Sequence, residues 1–174
     1  MNYLMPVTKP NTWATRPSEL EMALRQLVKG NYNISKYMEL LDKIERLSVG
    51  MPEVEIPVKN TFVGHLCARE IQISKGTFLT GTEYIKETFN IISKGRLIIW
   101  SPDGAKEIYA PMQLITRVGD RKSAYAVEDT VFTTIFPTDK TSIEEVIEEF
   151  TTVKLDDLYG NKNNWNRRLI DAKN

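Results

Sequence analysis

Histidine and cysteine are almost missing from this chain: one of each, His65 and Cys67, in 174 residues. A lone cysteine closes no intrachain disulfide, which fits a reducing compartment. A lone histidine does not build the imidazole-rich sites that hold zinc or iron in enzymes. An all-oxygen Mg²⁺ or Ca²⁺ site needs only carboxylates and stays open. Excess charge is missing too. Lys plus Arg is 23 and Asp plus Glu is 23, so the bulk field draws the chain toward neither nucleic acid nor an anionic membrane. No apolar run approaches the ~18 residues of a membrane span. Residues 1–7 lack the basic-then-apolar order of a secretory signal. Nucleophile elbows, P-loops, dinucleotide fingerprints and zinc-finger spacings are absent. These absences predict a protein of the cytoplasm, or a component of something assembled there.

What is present is enough chain for one domain with a real core. Residues 1–17 read as an extended arm. Pro6, Pro10 and Pro17 disfavour helix, and the aromatic Tyr3 and Trp13 predict that the arm docks on something. Residues 18–52 read as helical. Ser18 and Glu21 have capping-box spacing, and Leu20, Ala23, Leu24, Leu27 and Val28 form one apolar stripe. Gly30 stops that helix. A second runs from about Ile34 to Leu47, with Met38, Leu41 and Ile44 on its stripe. Its mixed charges suit helices laid on an outer sheet better than a DNA-recognition helix.

From residue 53 the period changes to alternation. Val54, Ile56 and Val58, then Ile71 and Ile73, alternate with polar residues. Asn90-Ile91-Ile92, 96–100, 108–111, 112–118, 125–127 and 131–136 follow as short strands. Turn signals at Lys75-Gly76, Ser93-Lys94-Gly95, Pro102-Asp103-Gly104 and Gly119-Asp120 separate them. About eight short strands with no helix between them predict an antiparallel sandwich or barrel over residues 53–138. Residues 139–174 return to helix and tail. Thr141 and Glu144 have capping-box spacing, and Ile143, Val146, Ile147 and Phe150 form the stripe. Trp165, Leu169 and Ile170 predict a docked tail. Cys67 reads as a small buried hydrophobe and His65, beside Gly64, as a loop residue.

One stretch stands out. "GTEYIKETF", residues 81–89, carries Glu83, Lys86 and Glu87 between apolar runs. Together with its surroundings, "SKGTFLTGTEYIKETFNIISKGRLIIWSPDG", it resembles the first motif of the cupin superfamily, in particular small single-domain cupins of phages and prophages. "RVGDRKSAYAVEDTVFTTIFPTD" resembles the second motif, with Gly119 at its turn. The resemblance spans roughly residues 53–138. It implies a mainly β, cupin-like antiparallel jelly-roll barrel, with the N-terminal helices and the C-terminal helix outside it.

The resemblance also implies where ligands of a metal would lie, and other residues stand there. The two histidine positions of the first motif hold Thr82 and Tyr84, and the glutamate position holds Thr88. The second-motif histidine position falls at Lys122, and a further one at Val127. The expectation is therefore no metal and no other cofactor. Alternation over 82–88 puts Thr82, Tyr84, Lys86 and Thr88 on one face. With Lys122 and Tyr125 they form the candidate barrel mouth, a lining that either hydrogen-bonds a small polar ligand or fills itself. The expected role is a non-enzymatic binding or assembly module, phage-encoded, in the host cytoplasm or the virion. The alternative is a metal-free small-molecule enzyme such as a sugar isomerase or epimerase. The expected partners are further copies of the chain (a dimer or larger ring), phage structural proteins and a small polar ligand, with neither membrane nor nucleic acid.

Overall fold

The computed structural model describes residues 19–48 and 54–155 and the backbone of Arg167–Arg168. The expected arm, the Ser18 cap and the docking residues Trp165, Leu169 and Ile170 lie outside the described residues.

Two helices open the described chain, α1 (Glu19–Lys29) and α2 (Ile34–Leu47). Ala23, Leu24 and Leu27 are buried on α1, and Tyr37, Leu40, Leu41 and Ile44 on α2. The Asn33 side chain caps α2, accepting from the Lys36 amide at 3.0 Å, which satisfies one of the donors a helix start leaves open.

Nine strands then build two layers. They are β1 (Val58–Val63), β2 (Leu66–Ile73), β3 (Thr77–Thr80), β4 (Thr88–Lys94), β5 (Arg96–Ser101), β6 (Gly104–Tyr109), β7 (Met112–Thr116), β8 (Ser123–Ala126) and β9 (Thr130–Pro137). The first sheet has the order β1-β2-β9-β4-β7. The second is β3-β8-β5-β6, with the short β10 (Arg167–Arg168) added beside β3. That addition covers a strand edge that would otherwise present unpaired backbone groups. Every pairing is antiparallel. Gly95 makes the sharp β4–β5 turn at φ +89°, where a side chain would place Cβ 2.4 Å from the Asp129 carbonyl. Only glycine fits that approach.

The layers use strand alternation as expected. Leu79, Leu97, Ala124 and Ala126 face inward against Ile71, Ile73 and Ile92 of the first sheet. The intervening residues of the second sheet, Phe78, Ile98, Trp100 and Tyr125, face outward and meet Leu24, Leu27, Tyr37 and Leu41 of the helices. Trp100 is fully buried there, and the Tyr37 hydroxyl donates to its carbonyl at 2.9 Å. Burying each such side chain stabilises the fold by roughly 1.5–3 kcal/mol, so the helix pair is held as a lid on one sheet. A third helix, α3 (Ile143–Phe150), closes one end of the barrel with Val146, Ile147 and Phe150 against Cys67, Tyr84 and Phe136.

Four local expectations are corrected. The first strand begins at Val58, not Val54, directly after Pro57, which has no amide to give a ladder. β3 was not expected, because "TFLT" shows no alternation; its first three residues are buried whichever face they take. α3 is capped by Ser142, whose hydroxyl accepts from the Glu145 amide, rather than by Thr141 with Glu144. Residues 81–87 are a loop, not a strand: Tyr84 makes one isolated bridge to Thr151, and ladder pairing starts at Thr88.

Candidate functional site

The inner face of the first sheet carries one polar row. Register places Asn60 opposite Arg69, Arg69 opposite Thr134, and Thr134 opposite Asn90. Arg69 is 3% exposed and Asn90 1% exposed, so these groups need partners inside the protein. Arg69 Nη1 donates to Asn60 Oδ1 at 3.2 Å. Asn90 Nδ2 donates to Thr116 Oγ1 at 3.0 Å, tying β4 to the edge strand β7.

Beside this row the two sheets enclose a cavity of ≈ 70 Å³, against roughly 10–15 Å³ for a single water. Its apolar wall includes Ile71, Ile73, Leu79, Leu97, Ile99 and Phe132. Its polar lining gathers toward the 81–87 and 117–122 loops: Thr82, Tyr84, Asn90, Thr116, Asp120 and Lys122. The space is therefore amphipathic, with a hydrocarbon body and a polar end.

Charge at the polar end is cancelled locally. Lys122 Nζ donates to Asp120 Oδ2 at 2.7 Å, and the Arg117 amide reaches the same oxygen at 2.9 Å. Burial by itself would raise the Asp120 carboxyl; the hydrogen bonds from Lys122 and Arg117 outweigh it and hold it below the usual carboxylate range. The Thr82 hydroxyl on the same wall is buried and makes no hydrogen bond to the described protein.

The six residues expected at the mouth divide. Thr82, Tyr84 and Lys122 line the cavity. Thr88 is buried on the inner face, outside the cavity wall. Lys86 points to α3, where Nζ lies 2.6 Å from Glu149 Oε1 and 5.5 Å from the Phe150 ring centre. Tyr125 faces the opposite way, into the layer beneath α1 and α2, where burial pushes its phenol up. Alternation counted from a loop misassigns Lys86, and in β8 Ala124 and Ala126 take the inward face, which turns Tyr125 outward. Asn90 and Thr116 were missed as site residues. The signal was Asn90 sharing the buried phase of "TFNIISK" with Thr88 and Ile92.

The residues at the polar end do not fit the metal centre that the sequence resemblance implies. The lining offers hydroxyls, an amide, a phenol and one carboxylate already engaged by an ammonium, and a protonated lysine has no lone pair to give. Among the described residues no three His, Cys, Asp or Glu side chains are grouped to hold a metal ion.

Strands that alternate between two antiparallel sheets define a jelly-roll barrel. Many solved structures similar to the chain are cupin-superfamily proteins. One from Desulfitobacterium hafniense is 13% identical, with 55% of this chain and 88% of that one covered and a TM-score of 0.44. A cupin 2 domain-containing protein from Halorhodospira halophila is 10% identical, over 54% and 72%, at 0.45. An acetylacetone dioxygenase from Acinetobacter johnsonii is 13% identical, over 47% and 59%, at 0.39. No family model and no curated protein matches the sequence. Among the described residues no helix is long and apolar enough to cross a membrane.

Proposed function

We propose that the barrel is a non-enzymatic binding module for a small, uncharged ligand with an apolar body and a hydroxyl- or amide-bearing head. The observation that carries this reading is the buried Thr82 hydroxyl, which among the described residues has no hydrogen-bond partner at the polar end of a cavity whose body is walled by hydrocarbon. An orphan hydroxyl costs free energy unless something pairs with it. A polar ligand head at that end completes it, while the apolar wall takes the body. The Asp120–Lys122 pair contributes no net charge, so a neutral ligand enters without leaving a charge uncompensated.

The alternative, a metal-free proton-transfer enzyme, asks for a base or acid near neutral pKa in the cavity. The titratable lining groups are Tyr84, Asp120 and Lys122. Asp120 is held below the usual range and bonded to Lys122, which favours binding over proton transfer.

Ligand-observed NMR on the full chain tests the reading with four neutral probes: a hexose, a nucleoside, a short-chain alcohol and a short-chain amide. Saturation transfer to at least one class is expected, weakened about tenfold in Thr82→Val. Absence of binding to all four overturns the proposal. So does consumption of a probe by the wild-type chain that stops in Lys122→Met, which establishes the enzyme instead.

A further inference from the structure

The polar lining of the cavity contains groups that adapt to a ligand and one that does not. A hydroxyl rotates, so Thr82 and Thr116 can each donate or accept. Lys122 already gives its Nζ to Asp120. Asn90 is different. It is buried on the inward phase of β4, and both of its side-chain hydrogen bonds leave from Nδ2. One goes to Thr116 Oγ1 at 3.0 Å and one to the Leu114 carbonyl at 3.4 Å. A carbonyl only accepts, so the Leu114 bond fixes the carboxamide with its nitrogen toward β7. Oδ1 is thereby turned away from β7, in a residue that lines the cavity. Among the described residues nothing donates to that oxygen. Unlike a hydroxyl, it has no proton with which to change role.

We infer that Asn90 sets the specificity of the cavity: Oδ1 selects ligand heads that bring an O–H or N–H over isomers whose polar atoms only accept. This rests on the binding reading above and adds a requirement to it. The Thr82 hydroxyl does not discriminate, because it can donate to an ether oxygen as well as to an alcohol. Asn90 does. Against an ether or a fully alkylated amide, Oδ1 stays desolvated and faces another lone pair, with no bond to offset the loss of water. Sites built to hydrogen-bond a substrate hydroxyl or amine reject analogues without it for this reason. Volume bounds the ligand as well. The ≈ 70 Å³ of the cavity, at ~10–15 Å³ for each water-sized occupant, holds about five or six of them. A molecule with about that many non-hydrogen atoms is enclosed, its head at the polar end beside Asn90.

Two isomeric pairs of probes, titrated against the full chain by ligand-observed NMR, test it. Butan-1-ol and methyl propyl ether contain the same atoms, as do butyramide and N,N-dimethylacetamide. Only the first of each pair carries a donor. The wild type is expected to bind the first of each pair about tenfold or more tightly than the second. In Asn90→Leu, of similar volume, that gap is expected to close, whereas a preference of shape alone would survive the substitution. The near-ultraviolet circular dichroism of Trp100 checks that the variant keeps its core. Equal binding within the pairs by the wild type overturns the inference, whatever the variant does, and leaves the binding reading standing. A gap that persists in folded Asn90→Leu overturns it equally. So does the absence of binding to all four, after which the hexose and nucleoside probes decide the binding reading separately.

Discussion

Arg121 and Glu45 join the helix pair to the cavity: Nη2 of the first lies 2.8 Å from Oε1 of the second. Arg121 Nη1 also reaches Asp42 Oδ1 at 2.7 Å, and its Nε donates to the Gly81 carbonyl at 3.0 Å. Thr80 donates to the same Glu45 oxygen. Arg121 stands between Asp120 and Lys122, which line the cavity. Residues 120–122 thus face two ways, outward to α2 and inward to the polar end of the barrel.

Removing that guanidinium should be costly. Arg121→Met leaves Glu45 and the Gly81 carbonyl short of a donor, and hydrogen bonds to charged groups contribute about 1.5–3 kcal/mol each. A loss of about 2–3 kcal/mol is expected, since the surface-exposed Asp42 arm adds little. Urea unfolding checks it: the midpoint should fall with the slope unchanged.

Thr82→Val makes an opposite statement about stability. Among the described residues the hydroxyl has no partner to lose, and the isosteric methyl removes a desolvated polar atom. Thermal unfolding should show a melting temperature unchanged or raised, within about 1 kcal/mol, even as probe binding weakens. A clear destabilisation would mean that Thr82 is a structural group.

The cap of α3 distinguishes neighbours. Ser142→Ala should cost about 1 kcal/mol, because Ser142 accepts from the Glu145 amide and donates to Glu145 Oε2. Thr141→Ala should cost almost nothing. Paired denaturation curves decide it.

His65 gives a clean pH readout, being the chain's one histidine. From the β1–β2 turn it hydrogen-bonds Asp139, just past the end of β9, and that bond, reinforced by the carboxylate's charge, raises the imidazole above its ordinary value of 6.5. A raised folded value means the stabilisation is fully present below the unfolded pKa and disappears as pH rises through the folded one. NMR titration of the His65 ring should show the raised midpoint, and Asp139→Asn should return it to the ordinary range.

Much of the barrel was legible because strand alternation and turn glycines are local properties. Ile71 and Ile73, "NII" at 90–92 and 96–100 announce themselves by period. Gly95 marks a turn that only glycine makes. The helix stripes of 18–28 and 35–47 are equally local. β3 was not legible: its four residues are largely buried because α2 lies over one face and the cavity over the other, a fact about packing and not about "TFLT".

The candidate site shows the same division. By itself the sequence determined which side chains exist to be used: a chain with one histidine and one cysteine, with threonine, tyrosine and lysine where the resemblance implies metal ligands. Local period also determined that Asn90 travels with Thr88 and Ile92. Only the tertiary structure decided which of these meet. It folded 81–87 into a loop, so Lys86 went to Glu149 while Thr82 and Tyr84 turned to the cavity. It set β8 so that Tyr125 faces the helices. It also brought Asp120 and Lys122, from the 117–122 loop, beside Asn90 and Thr116 of two other strands. Contacts between residues thirty or more positions apart depend on register and layer, and no short stretch of sequence encodes either.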